Sequence, residues 1–322
     1  MSRRLASVAL AALLALFVVA CNNQQSGAPA AVVSANSPDA TIRRNVELLK
    51  AGDLGGLMQN ALPPADFAEL KAQWGKDQDP PTDDERQKFA DTMARLTAPD
   101  ADQKIYAELE PELKQFDAQY QQQMPMYVAM GSGWLQGMVQ QNKDLSDADK
   151  QQAVAAINAL AAWVQKTRFT EPESVKKVLA IATKAARDLN LKTVDEVHAL
   201  TFDQSMQKAR IAMLAFKDAL NVYGFSVDKT LDSVKPEVVS NDGKTATVKV
   251  SYMLFDTPLA MATQMVNIDN RWYSKDSIER VKARKEEAAK EAAAAATTAP
   301  PAADAPPKTD TPPKSDTPPS GH

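Results

Sequence analysis

From residue 37 onward the apolar positions recur three and four residues apart, which is the period of a helix with one buried face. Ser37 followed by Pro38 forms an N-cap and first-turn pair, Ile42, Val46 and Leu49 fall on one side, and Gly52 supplies the stop. Asp53, Gly55 and Gly56 turn the chain into a segment around Leu57, Met58 and Leu62. Pro63 and Pro64 then open another helix, containing Phe67, Leu70 and Trp74. Thr82, Asp83, Asp84 and Glu85 spell a capping box ahead of the stripe Phe89, Met93, Leu96. A helix starting near Pro99 carries Ile105, Leu109, Leu113, Phe116 and Tyr120. The same period predicts helices over 126–141, 147–166, 172–189 and 203–223, the last capped by Gly224.

Near Val234 the period changes to two. Asn241, Asp242, Gly243 and Lys244 stand between apolar runs as a hairpin turn, and Ala246, Val248, Val250, Tyr252 and Leu254 alternate with polar residues as a half-buried strand does. A third strand is expected over 262–268 and a fourth over 271–273, joined by Asp269 and Asn270. The pattern predicts an α+β, predominantly helical fold: a helical region 37–233, then an antiparallel meander of three to four strands over 234–280 that packs on the helices. Residues 281–322 read as a charged helix running into an Ala/Pro-rich tail. With few large apolar side chains to offset ordering entropy, that tail is expected to be disordered, as a solvating segment or as an arm into or through peptidoglycan.

The N-terminus has a different pattern. Arg3 and Arg4 precede an apolar run from Leu5 to Val19, too short for the ~20 residues that cross a bilayer core, and the polar Asn22, Asn23, Gln24 and Gln25 follow it. Residues 1–20 are therefore expected to be an export signal that is cleaved, and 21–36 a flexible tether. Val18, Val19, Ala20, Cys21 resembles the lipobox of bacterial prolipoproteins. The resemblance implies a diacylglycerol thioether on Cys21, cleavage before it, and a fatty acyl group such as palmitate on the new amino terminus. Several acyl chains hold a protein to a bilayer far more firmly than one. Asn22 is not the aspartate that retains lipoproteins in the inner membrane of well-studied Gram-negative systems. The same resemblance therefore points to the outer membrane, facing the periplasm.

Composition narrows the chemistry. Cys21 is the only cysteine, so lipidation leaves no thiol for a disulfide, a thiolate metal site or a nucleophile. His198 and His322 are the only histidines, which excludes a multi-histidine metal site, and no cofactor is expected. His198 reads as a surface or partly packed residue of a short helix or connector. The chain carries 37 basic against 41 acidic residues, and removal of Arg3 and Arg4 leaves 35 against 41, net −6. Such a balance excludes nucleic acid as a partner and a purely electrostatic membrane footprint.

Other candidates have bland readings. Met124, Met126, Met130 and Met138 share a helix with Gly131, Gly133 and Gly137. Thioethers can bind Cu(I), but methionines at helical spacing are read as gap-filling core and the glycines as points of close helix approach. Trp74, Trp134, Trp163 and Trp272 are read as core anchors. The acidic pairs Asp83 with Asp84, Glu108 with Glu110 and Glu286 with Glu287 belong to solvated helix faces.

A second, partial resemblance concerns the two ends of the core. The helix ending Lys50, Ala51, Gly52, Asp53, Leu54, together with Gly243 to Val248 and Arg271, Trp272, Tyr273, is similar to the first helices and last strands of the cystatin-like cone of the nuclear-transport-factor-2-like superfamily. It implies a pocket at the cone's open end and makes the intervening helices an insertion. The expected function is a non-catalytic interaction module of the cell envelope. Its partners would be membrane lipid through the Cys21 acyl chains and another envelope protein or peptidoglycan. The alternatives are a small-ligand-binding lipoprotein with a pocket between sheet and helices, and a hydrolase with no assignable site.

Overall fold

The structure is a computed structural model and describes residues 36–298 apart from 77, 121 and 144; the signal segment, Cys21, nearly all of the tether and the tail lie outside the described residues. The chain divides at Val281: one unit runs to Val281, and a second begins at Lys282.

Caps set the helix boundaries. The Ser37 hydroxyl accepts from the Ala40 amide, Pro38 fills the first turn, and Gly52 closes α1 (Pro38–Ala51) at φ +69°, a left-handed conformation that costs a glycine little. The helices α2 (Leu54–Ala61) and α3 (Pro64–Gln73) follow, then α4 (Asp83–Thr97), whose Thr82–Glu85 capping box is fully formed. Next come α5 (Ala101–Tyr120), α6 (Met124–Gln141), α7 (Asp147–Lys166) and α8 (Pro172–Leu189). Thr193 and Thr201 supply two more capping boxes, for α9 (Val194–His198) and α10 (Phe202–Val222). A six-residue helix, α11 (Val227–Asp232), falls where the sequence pattern predicts no element. It is too short to show a period, and its signal is the Ser226 cap.

Four strands then form one antiparallel meander in chain order: β1 (Lys235–Asn241), β2 (Thr245–Leu254), β3 (Thr257–Ile268) and β4 (Arg271–Ser274). The fold class is α+β and helix-rich, as the sequence implies. Val238 pairs with Val248 and Val248 with Thr263, with a register shift beyond Val238. At the first hairpin Asp242 Oδ1 accepts from the amides of Lys244 and Thr245, and Gly243 takes φ +85°. At the last, Asp269 and Asn270 both adopt positive φ, as a two-residue type I′ turn requires. The meander ends at Ser274. The helix expected from 281 begins at Lys275 as α12 (Lys275–Thr298), a correction of that boundary by six residues: β4 needs only four residues to complete its pairing with β3.

Strand β3 begins at Thr257, five residues before the predicted start, because Phe255 and Asp256 make a tight turn that no glycine or asparagine announces. Phe255 sits at φ +54°, a strained conformation for a bulky residue, and the packing of its ring explains why it is held there. The ring stacks on Trp163 at 5.8 Å and meets Phe225 at 4.8 Å. Trp163 also meets Phe169 edge-on, and its indole N–H donates to the Tyr223 carbonyl at 2.8 Å. This aromatic cluster ties the ends of α7 and α10 to the β2–β3 turn.

One face of the sheet carries Ala246, Val248, Met265 and Trp272, all buried, with Ile42 of α1 packed against them. α1 lies along β1, β2 and β4, and α7 packs on β3. Away from the sheet, α8 is the common neighbour of α4, α5 and α10, with Val175, Thr183 and Ala186 buried. Arg43 fastens α1 to the sheet by donating to the Pro236 carbonyl at 3.4 Å while it pairs with Asp39 at 3.3 Å.

Trp272→Ala should remove about 3–5 kcal/mol of stability by leaving a cavity under α1, read as a lowered denaturant midpoint of the full chain. Asp39 gives a pH signature. Its burial pushes the carboxyl up, but hydrogen bonds from Ser37 and Arg43 and the Arg43 charge outweigh burial, and the net shift is downward. A lowered folded-state value stabilises the fold above the unfolded value of about 4, and that stability is lost as pH falls through the folded value. The stability difference between wild type and Asp39→Asn should therefore be largest at neutral pH and vanish in strong acid; a difference independent of pH would count against this role.

Candidate functional site

Residues 118–142 carry no Asp, Glu, Lys or Arg, in a chain that is 24% charged. They contain α6, whose main neighbour is α7. Val128, Ser132, Gln136 and Val139 lie half-buried on one face, and Gln136 Nε2 donates to Asn158 Oδ1 of α7 at 3.0 Å. The opposite face is apolar and open, with Met126 60% exposed, Met130 66%, Trp134 66% and Met138 54%, and Leu135 beside the α7 contact is 45% exposed.

The structure therefore corrects two expectations. Met126, Met130 and Met138 are not gap-filling core, and Trp134 is not a core anchor. Nor do the glycines of this helix admit a neighbouring helix of the same chain. No atom from elsewhere in the described residues comes within 4 Å of where a Cβ would stand on Gly131, Gly133 or Gly137. A helix apolar on every side is usually enclosed. This one has one main partner, α7, among the described residues and leaves a contiguous apolar surface exposed, which in soluble proteins marks an interaction site. Among the described residues no helix, α6 included, is long and apolar enough to cross a membrane.

The other tryptophans do anchor the core. Trp272 is buried under α1, Trp163 centres the aromatic cluster, and Trp74 meets Phe202 edge-on while donating to the Ser205 hydroxyl at 3.1 Å. His198 ends the short helix α9 and is half-buried. Two of the acidic pairs are committed to surface ion pairs, Asp83 with Arg86, Asp84 with Lys88, Glu108 with Arg95, and Glu110 with Lys114, and the third, Glu286 with Glu287, is exposed on α12. Arg86 also grips Asp195 by a two-nitrogen contact that holds α9 against α4, and hydrogen bonding from Arg86 lowers the Asp195 carboxyl. Among the described residues no group of three His, Cys, Asp or Glu is placed to hold a metal ion. Cys21 lies outside the described residues.

A half-open cleft of about 450 Å³ lies between α4 and the end of α8, lined by Ala90, Met93, Thr97, Arg187, Asn190 and Lys192. Its polar groups are Thr97 of α4 and, from the α8 side, Arg187, Asn190 and Lys192, with no carboxylate among them. It is remote from the space between sheet and helices, where Ile42 meets Val248 and Trp272.

Sequence reasoning missed the exposed face because helical apolar spacing is the same whether the stripe meets core or solvent. The available signal was the charge-free run flanking and including α6. Comparison with known protein families, curated proteins and solved structures found no match.

A glycine inside a helix costs roughly 0.5–1 kcal/mol relative to alanine. Because no described residue crowds Gly133, Gly133→Ala should raise the stability of the isolated chain by about that amount, read by its thermal midpoint in dilute solution. A lowered midpoint would show that the helix face is crowded within the chain.

Proposed function

We propose that this chain is a lipoprotein of the bacterial cell envelope, acylated on Cys21, whose helix-rich unit works by binding through the α6 face and not by catalysis. The observation that carries the binding reading is that face: a run of methionines and a tryptophan, uncharged and exposed, on a helix held chiefly by α7. Methionine surfaces adapt to the shape of what they bind, and tryptophan is over-represented at the energetic centres of interfaces. Support for a non-catalytic role comes from Asp83, Asp84, Glu108 and Glu110, whose carboxylates lie at the surface and are neutralised by neighbouring lysines and arginines.

The anchor reading rests on Val18, Val19, Ala20 and Cys21, behind a basic and then apolar leader. With Asn22 next, the proposed place is the outer membrane, periplasmic side. Residues 21–36 as a tether would let the folded unit stand at most about 58 Å from the lipid, at up to about 3.6 Å per extended residue. The partner is an envelope component within that reach, a second copy of the chain included. The cone resemblance enters only as architecture: α1 lying across β1, β2 and β4 supports it.

Cys21→Ala should abolish incorporation of labelled fatty acid and release the protein from the membrane fraction. Undiminished acyl labelling with full membrane retention would refute the anchor.

A further inference from the structure

The exposed side of α6 has a regular seam. Gln123, Tyr127, Met130, Trp134, Gly137 and Gln141 follow one another at spacings of four and three residues, the period of a helix that packs along another helix. The order of these side chains is self-complementary. Two α6 helices laid antiparallel, centred on Ser132, place Met130 of each against Trp134 of the other, Tyr127 against Gly137, and Gln123 against Gln141. A large ring thus meets a missing side chain, and amides meet amides at both ends. We propose that this face is an interface between two copies of the chain, packed antiparallel about a two-fold axis. The proposal deepens the binding role of α6 and rests on that reading; it does not depend on the lipid anchor.

Three further observations favour a second copy. The glycines weaken the helix while no described residue comes within 4 Å of where their Cβ atoms would stand, so among the described residues their cost has no return; a helix from another copy that comes close over Gly133 and Gly137 supplies one. A lipid surface, being fluid, makes no use of such a notch. The charge-free run matters as well, because a two-fold axis brings each group toward its own kind, and residues 118–142 offer no like charges to repel. The area also suffices. Met126, Tyr127, Met130, Trp134 and Met138 are 60%, 40%, 66%, 66% and 54% exposed, and with large side chains offering on the order of 200 Å² each they expose roughly 600 Å² per copy. A standard interface buries ~800 Å² per partner, and the flanking glutamines and the backbone at the glycines can supply the rest.

The test uses full-length chain in intact cells. Met130→Cys is placed in one tagged copy and Trp134→Cys in a second copy with a different tag, followed by mild oxidation. The antiparallel register predicts that the thiol introduced at position 130 of one copy joins the thiol introduced at position 134 of the other. That mixed disulfide should form in clear excess over the disulfides between two copies of M130C or two copies of W134C. Gly137→Leu should cut the mixed yield on the order of tenfold, equivalent to about 1.4 kcal/mol of association. The chain's thermal midpoint in dilute solution should meanwhile hold or rise. Equal yields from all three combinations, or no disulfide between copies, overturn the proposal. So does capture of the introduced thiols on a different protein by a bifunctional maleimide, or their shielding by lipid without dimer formation. Disulfides formed by the parent chain through its own Cys21 would instead sink the anchor. Pairing is then scored in a Cys21→Ser background, so the two failures stay distinct.

Discussion

The meander presents an apolar face, made of Ala246, Val248, Met265 and Trp272, that a four-stranded sheet cannot hide by itself. Its cover is α1, which begins the described core about two hundred residues earlier in the chain, with Ile42 as the contact. Burying that face at roughly 25 cal/mol per Å² requires the two ends of the unit to meet, and everything between must fit the loop so closed. Polar contacts fix the meeting point. Arg43 donates to the Pro236 carbonyl, and the Lys50 ammonium pairs with Asp232 at the end of α11. Lys217, buried in α10, donates to the Lys50 carbonyl at 2.7 Å and pairs with Asp228 at 2.6 Å. A buried ammonium is tolerable only because it is satisfied on both sides.

Within that closed loop the helices are held unequally. α8 is enclosed by α4, α5 and α10, with Thr183 and Ala186 small enough to admit them. α7 is fixed at one end by the aromatic cluster around Trp163 and along its length by β3, where Gln152 accepts from the Ala260 amide. α6 has chiefly α7. A helix with few buried contacts opens most easily, so α6 belongs to the low-stability end of the molecule, where binding segments are commonly found. A partner on its open face would order it and cover its methionines at the same time.

The caps are the most legible part of the sequence. Ser37 with Gly52, Thr82 with Glu85, and the paired left-handed residues Asp269 and Asn270 act through neighbours within a few residues, so reading them requires no tertiary knowledge. The turn at Phe255 is the opposite case. Its backbone conformation goes against its residue type and persists because the ring packs against Trp163 and Phe225, residues 92 and 30 positions earlier in the chain. The methionine stripe of α6 fails for a different reason: period identifies which residues share a face, and says nothing of what stands opposite.

By itself, then, the sequence determined the helix-then-sheet order, most element boundaries, the acidic balance and the single cysteine, because each follows from local chemistry or composition. Tertiary structure alone decided that α1 is the lid of the sheet and α8 the hub of the helices. It also decided that the most apolar helix of the core stands outside. Those outcomes depend on how apolar faces are apportioned among distant partners: α7 and β3 satisfied each other, and α6 was left with one side in water.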